Sequence, residues 1–132
     1  MMPVARISLL RGHSRDYIAA LSASLHRAMV ATFEVPESDR FHVIHQHERH
    51  ELFIDPHYLC GPRSDGFVLI AITAGRPRSV QVKQNFYRRL AEELGASPGI
   101  RSEDVMVVIA ANAPVDWSFG RGEASMLRGA NQ

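Results

Sequence analysis

Phe67-Val-Leu-Ile-Ala-Ile72, Arg76-Pro77-Arg78-Ser79 and Val80-Gln-Val-Lys-Gln-Asn-Phe-Tyr-Arg-Arg-Leu-Ala-Glu-Glu-Leu94 follow closely on one another, and together they decide the fold. The first is an apolar run of strand length and reads as a buried strand, Phe67–Thr73. The last places Phe86, Leu90 and Leu94 at helical steps and reads as an amphipathic helix, Ser79–Leu94. Gly95 is well placed to end it. Ser79 stands where a helix N-cap belongs. Two guanidiniums are thereby set at a strand end beside a helix N-terminus, whose free N–H groups and dipole favour anions. Guanidinium forks suit a carboxylate or a phosphate. Pro77 stiffens the turn and restricts Arg76. A solvated basic turn is the other fate of two neighbouring arginines, and the motif by itself names a ligand class without a reaction.

Working outward, the same punctuation occurs earlier in the chain. One interval separates Ser14 from Ser79 and Asp39 from Asp104. Ile7, Arg11 and Ser14 align at that interval with Ile72, Arg76 and Ser79. Val35-Pro-Glu-Ser-Asp-Arg-Phe-His-Val-Ile44 aligns with Ile100-Arg-Ser-Glu-Asp-Val-Met-Val-Val-Ile109. Two copies are too few for a solenoid and fit a fused pair of βαβ units. The first unit (3–47) reads as strand Val4–Leu10, helix Ser14–Phe33 and strand Phe41–Gln46. Its helix carries Ile18, Leu21, Leu25, Ala28, Met29 and Phe33 on one face. The second (67–111) reads as strand, helix and strand Val105–Ala110. A hairpin-like piece, Glu51–Ile54, lies between them, and a C-terminal segment (112–132) follows. The expected fold is α/β (α+β), a single domain of 132 residues. Its four-stranded mixed sheet carries both right-handed crossover helices on one face. The strands are apolar enough to need cover on the other face, which predicts an oligomer packed sheet against sheet. The first unit's turn, Arg11-Gly12-His13-Ser14, has one arginine where the second has two, a departure that folding alone does not explain.

Composition narrows the function classes. A net charge of +1 with 22% charged residues gives no reason to expect nucleic acid or an anionic membrane as partner. All the basic residues except Lys83 are arginine, and Lys83 falls in the first turns of a surface helix. Cys60 is the only cysteine, which excludes an intrachain disulfide and fits a reducing cytoplasm. It sits in a loop-like stretch and reads as an incidental thiol. No signal peptide or membrane-length apolar run is visible. His45 and His47 share a strand face as two metal ligands would, yet His42 points the other way and no Cys or acidic ligand is tightly spaced. The expectation is no metal.

Four motifs occur in a specific order: Pro3 near the start, Val35-Pro-Glu-Ser-Asp39-Arg40, Arg76-Pro77-Arg78-Ser79, and Asp116-Trp117-Ser118-Phe119-Gly120-Arg121-Gly122. In this the chain resembles the malonate semialdehyde decarboxylase group of the tautomerase superfamily, from Pro3 to about Leu127. The resemblance implies two βαβ units per chain and a homotrimer. It implies that Pro3, freed as the amino terminus, is the catalytic amine, with no cofactor. Arg76 and Arg78 would bind the substrate carboxylate. Asp39 would align or activate water, or keep Pro3 charged. Trp117 and Phe119 would supply apolar walls that exclude water and strengthen charge effects. An α-amino group titrates near a pKa of about 8, so its surroundings decide whether Pro3 acts as base or cationic acid.

The resemblance further implies decarboxylation of a small β-oxo acid, malonate semialdehyde to acetaldehyde and carbon dioxide. Tautomerisation of a phenylpyruvate-like enol and hydration of an unsaturated acid are the alternatives at the same site. A different class also stays open. If Met1 and Met2 are retained, Pro3 is an amide nitrogen without basicity, and the chain is a non-catalytic trimeric binding protein.

Overall fold

The computed structural model describes residues 3–127; Met1, Met2 and the end of the C-terminal segment beyond Leu127 lie outside the described residues. Strand β1 (Val4–Leu10) leads through a turn into helix α1 (Arg15–Thr32), and strand β2 (Phe41–His47) completes the first unit. Strand β3 (Val68–Ala74), helix α2 (Val80–Ala96) and strand β4 (Val105–Ala111) repeat the pattern. Both helices begin at a serine cap with φ −69° and ψ 163°. Ser14 Oγ accepts from the Tyr17 N–H at 3.1 Å and Ser79 Oγ from the Val82 N–H at 3.2 Å. Each satisfies one of the donors that a helix start leaves unpaired.

The sheet order is β2-β1-β3-β4. β1 runs parallel to β2, β3 runs parallel to β4, and the two central strands are antiparallel. The mixed sheet expected from two joined βαβ units is therefore present. Ala5, Ile7, Leu9, Val68, Ile70 and Ile72 turn toward the helices and are buried, as period-two alternation requires. Leu21, Leu25, Ala28, Met29 and Phe33 of the first unit meet Phe86, Leu90 and Leu94 of the second. The Phe33 and Phe86 rings lie 4.8 Å apart at their centre. Burying each such side chain contributes about 1.5–3 kcal/mol.

The opposite sheet face is open in the single chain. Phe41, Val43, Met106 and Val108 stand exposed on it or at its edges, which is the uncovered apolar surface the sequence pattern predicts. No helix among the described residues is long and apolar enough to cross a membrane.

Two local expectations are corrected. Glu51–Ile54 is not hairpin-like. A 3-10 turn spans Arg49–Glu51, closed by the Glu48 N–H donating to Glu51 Oε1 at 2.9 Å, and the chain then runs irregularly with Phe53 exposed. Glu48 and Glu51 close a capping box there in place of a hairpin. Gly95 does not end α2, which continues to Ala96 with Ser97 as its cap. The stop comes from Pro98 and Gly99: Gly99 takes φ +103°, and the Gly99 and Ile100 N–H groups both donate to Leu94 O, at 3.0 and 2.8 Å.

Candidate active site

The antiparallel pairing of β1 and β3 brings the start of one against the end of the other. Val4 lies opposite Thr73 on one side and Phe41 on the other. Continued by one residue, that register sets Pro3 between Arg40 and Ala74, so Asp39 and the Arg76-Pro77-Arg78 turn gather at Pro3's end of the sheet. Pro3 itself is buried. β4 ends at the same edge, where the Asn112 N–H donates to Ala74 O at 2.8 Å. Asn112 then fixes the aromatic pair: Trp117 Nε1–H donates to its Oδ1 at 2.6 Å, and the Trp117 ring stacks on Phe119 at 5.7 Å. The structure thus collects Pro3, Asp39, Arg76, Arg78, Trp117 and Phe119 at one end of the sheet.

Arg78 is the unusual member. Its side chain is 0% exposed. Nε–H donates to Phe33 O at 3.2 Å and Nη1–H to Arg76 O at 3.0 Å. The guanidinium carbon lies 4.5 Å from the Phe33 ring centre, a cation–π contact. Among the described residues, the buried Nη2 has no hydrogen-bond partner. Burial, and secondarily the neighbouring Arg76 charge, depress the pKa of Arg78 against a weaker opposing pull from Glu34. The group still stays charged, because a guanidinium titrates far above neutrality. A buried charge with an unmatched donor is costly for a fold. Arg76 is half-exposed and ion-pairs with Glu34, Nη1 to Oε1 3.0 Å, while the same oxygen lies 3.9 Å from Arg78 Nε.

Asp39 is half-buried in the turn closed by its own N–H donating to Pro36 O at 3.0 Å. His26 holds this turn to α1. The ring is buried, and its Nε2–H donates to Glu37 O at 2.7 Å. His42 packs beside it, ring centres 6.2 Å apart, with Nδ1 2.7 Å from Ser22 Oγ. Burial above all, then Arg40 and His26, lowers the His42 pKa to about 4, so this ring is neutral at physiological pH. His42 faces the helices, while His45 lies on the open face near Arg6 Nη1 at 3.3 Å, stacked with His47 at 6.4 Å. The histidines therefore divide between the two faces as the alternation predicts.

Several clefts lie elsewhere. One of about 320 Å³ lies against Tyr87, Ala91 and Val105, and one of about 250 Å³ lies between Phe53, Tyr58, Leu69 and Met106. Neither sets two cations side by side, but a third cleft of about 300 Å³ is lined by Arg27, Arg40 and Arg89 together with Glu37, so what distinguishes the arginine turn is the unmatched donor of the buried Arg78 and not the gathering of cations alone.

Sequence reasoning passed over Glu34, His26 and Asn112. Glu34 left one signal: a charged residue at the junction between the apolar helix face and Val35-Pro36, where chains commonly place glycine or asparagine. His26 and Asn112 act through side-chain contacts across a turn, to Glu37 and to Trp117, that no hydrophobic period or turn motif marks.

A family described as tautomerase enzyme matches residues 39–120, and a second with the same description matches residues 3–60. The probable tautomerase YusQ of Bacillus subtilis (strain 168) is 39% identical over 96% of this chain and 99% of its own. Among solved structures, a malonate semialdehyde decarboxylase described as having decarboxylase and hydratase activities is 37% identical. It superposes with a TM-score of 0.88 over 96% of this chain and 98% of that one. A fused 4-OT described as a symmetric trimer, 19% identical, shares the fold with a TM-score of 0.74 over 96% of this chain and 98% of its own. The chain belongs to the tautomerase superfamily of enzymes, and within it resembles malonate semialdehyde decarboxylase.

Proposed function

We propose that the protein decarboxylates a small β-oxo acid, malonate semialdehyde, to acetaldehyde and carbon dioxide. The observation that carries this reading is the pair Arg76 and Arg78, the second buried with an unmatched Nη2, at the sheet end that also holds Pro3. Arg76 and Arg78 hold the carboxylate. Pro3, as a free secondary ammonium, polarises the aldehyde oxygen, or as an amine condenses with the carbonyl carbon to an iminium ion with loss of water. The bond between the carboxylate carbon and Cα breaks, and its electron pair moves toward the polarised carbonyl or iminium. Carbon dioxide departs and Cα then takes up a proton; on the iminium route water adds back to the carbon bound to Pro3, and cleavage of that C–N bond releases acetaldehyde and regenerates the free amine. Asp39 keeps Pro3 charged or handles water. Trp117 and Phe119 form an apolar wall that favours loss of the carboxylate charge. No step requires a metal or an organic cofactor.

The name of the similar Bacillus protein favours a second reading, proton transfer in a phenylpyruvate-like enol at the same residues. Turnover of malonate semialdehyde against phenylpyruvate enol decides between them. Loss of activity in Pro3→Ala and in Arg76→Ala is expected, and full activity in either removes that residue from the site. The mechanism requires Pro3 to be the amino terminus. Intact mass of the native protein checks this, and a retained Met2 would leave a non-catalytic carboxylate-binding protein.

The exposed Phe41, Val43, Met106 and Val108 support a homotrimer packed through the open sheet face, and the similar fused 4-OT is described as a symmetric trimer. A reducing, cytoplasmic setting suits the exposed Cys60 thiol. Native mass measurement tests the assembly.

A further inference from the structure

We propose that Glu34 is a specificity-determining residue of the anion site. Its carboxylate offsets one of the two arginine charges, so that the site accepts one carboxylate and disfavours a second. The inference rests on the reading of Arg76 and Arg78 as carboxylate-binding residues.

Glu34 Oε1 lies 3.0 Å from Arg76 Nη1 and 3.9 Å from Arg78 Nε. Two guanidiniums and one carboxylate leave a single net positive charge in the cluster. A monocarboxylate neutralises it. A dicarboxylate brings one negative charge too many, and its second group must sit in the field of Glu34. That field is felt most by the buried Arg78 and is screened by water on the exposed side of Glu34 and Arg76.

The backbone supports a fixed role for this side chain. Glu34 adopts φ +58°, in the left-handed region where glycine or asparagine is the ordinary occupant. It directly follows Phe33, whose carbonyl and ring both hold Arg78. Two successive residues thus serve the same guanidinium: Phe33 locates it and Glu34 sets the charge around it. The Glu34 side chain is 51% exposed, so it can yield to an incoming carboxylate without disturbing the core.

The test is calorimetric titration of the full chain with propionate and with malonate at constant ionic strength, in the wild type and in Glu34→Gln. Glu34→Gln is expected to tighten propionate about threefold and malonate about tenfold or more, because a doubly charged ligand gains more from loss of the same repulsion. Equal factors for the two acids, or no change in either, would overturn the proposal. Glu34→Gly, which also relieves the left-handed backbone, is expected to shift the preference in the same direction. A shift confined to Glu34→Gly would assign the effect to the backbone, and one confined to Glu34→Gln would show that loss of the charge does not itself set the preference; either overturns the proposal. The underlying reading is scored separately: Arg76→Ala is expected to abolish binding of both acids. If it leaves both unchanged, carboxylate recognition by the arginines falls on its own account.

Discussion

The turns Arg11-Gly12-His13-Ser14 and Arg76-Pro77-Arg78-Ser79 hold equivalent places in the two βαβ units, and their surroundings differ completely. The serine caps share their backbone angles, and both helices start the same way. Arg11, however, is exposed and ion-pairs with Glu48 at 3.0 Å, and His13 stacks on Tyr17 at 4.0 Å. Arg78 is buried with a donor unmatched. The aspartates divide in the same way. Asp104 is buried and fully engaged, accepting from the Ser64 N–H at 2.6 Å and from the Ser64 hydroxyl. Asp39 is half-buried, with Ser38 Oγ donating at a long 3.4 Å. One copy of each motif is satisfied by its own neighbours. The other is held in place with bonding capacity left over, and spare capacity in a fixed geometry is what a binding site needs.

The contrast breaks most visibly at the arginines. Arg78→Ala is expected to lower kcat/KM for malonate semialdehyde by about 10²–10³-fold, the scale for removing a charged group that stabilises a transition state. Arg11→Ala should stay within a few-fold of wild type. Steady-state kinetics on the two variants checks the pair, and similar losses would erase the distinction.

The aspartates give the next largest separation. Asp39→Asn should reduce kcat by about tenfold or more with little change in denaturation midpoint. Asp104→Asn should do the reverse, costing about 1.5–3 kcal/mol through a lost charged acceptor while kcat per folded molecule holds. Urea titration alongside kinetics separates the two.

His42 sharpens the comparison, since Val107 takes the equivalent place in the second unit. A ring whose folded pKa of about 4 lies below its unfolded value of about 6.5 binds its proton more readily in the unfolded state. Stability from this group is therefore fully present above about pH 6.5 and declines as pH falls toward 4. Thermal melts across that window should show the decline, and His42→Gln should flatten it.

The smallest effect is a symmetric one. Ser14→Ala and Ser79→Ala should each cost about 1 kcal/mol by loss of a cap. Unequal costs in chemical denaturation would show that the two helix starts are less alike than their geometry.

The regular elements could be read from the residues because local pattern sets them. The helix faces of Leu21, Leu25 and Phe33 and of Phe86, Leu90 and Leu94, the serine caps and the common interval between motifs all lie within one unit. The errors arose where a side chain or a distant backbone group took over: Glu51 capping a 3-10 turn, Pro98 and Gly99 stopping the helix in place of Gly95. The site residues were named through their motifs, but their environments were not. Whether Arg78 is buried depends on Phe33 at the end of the other unit's helix, and Asp104 is engaged by Ser64 from a loop. Glu34 enters only because the end of α1 meets the exit of β3, a juxtaposition that no short stretch of chain encodes.

The buried guanidinium of Arg78 also ties the energetics of the whole domain to its ligand. A fold that retains an unmatched charged donor sits below the stability its core would otherwise allow, the usual trade between activity and robustness. Any carboxylate that fills that deficit binds the native state and not the unfolded chain. It therefore raises the melting temperature in proportion to the logarithm of its concentration. The enzyme's resistance to heat should then follow the supply of its own substrate, so that the protein is most durable when it is most in use.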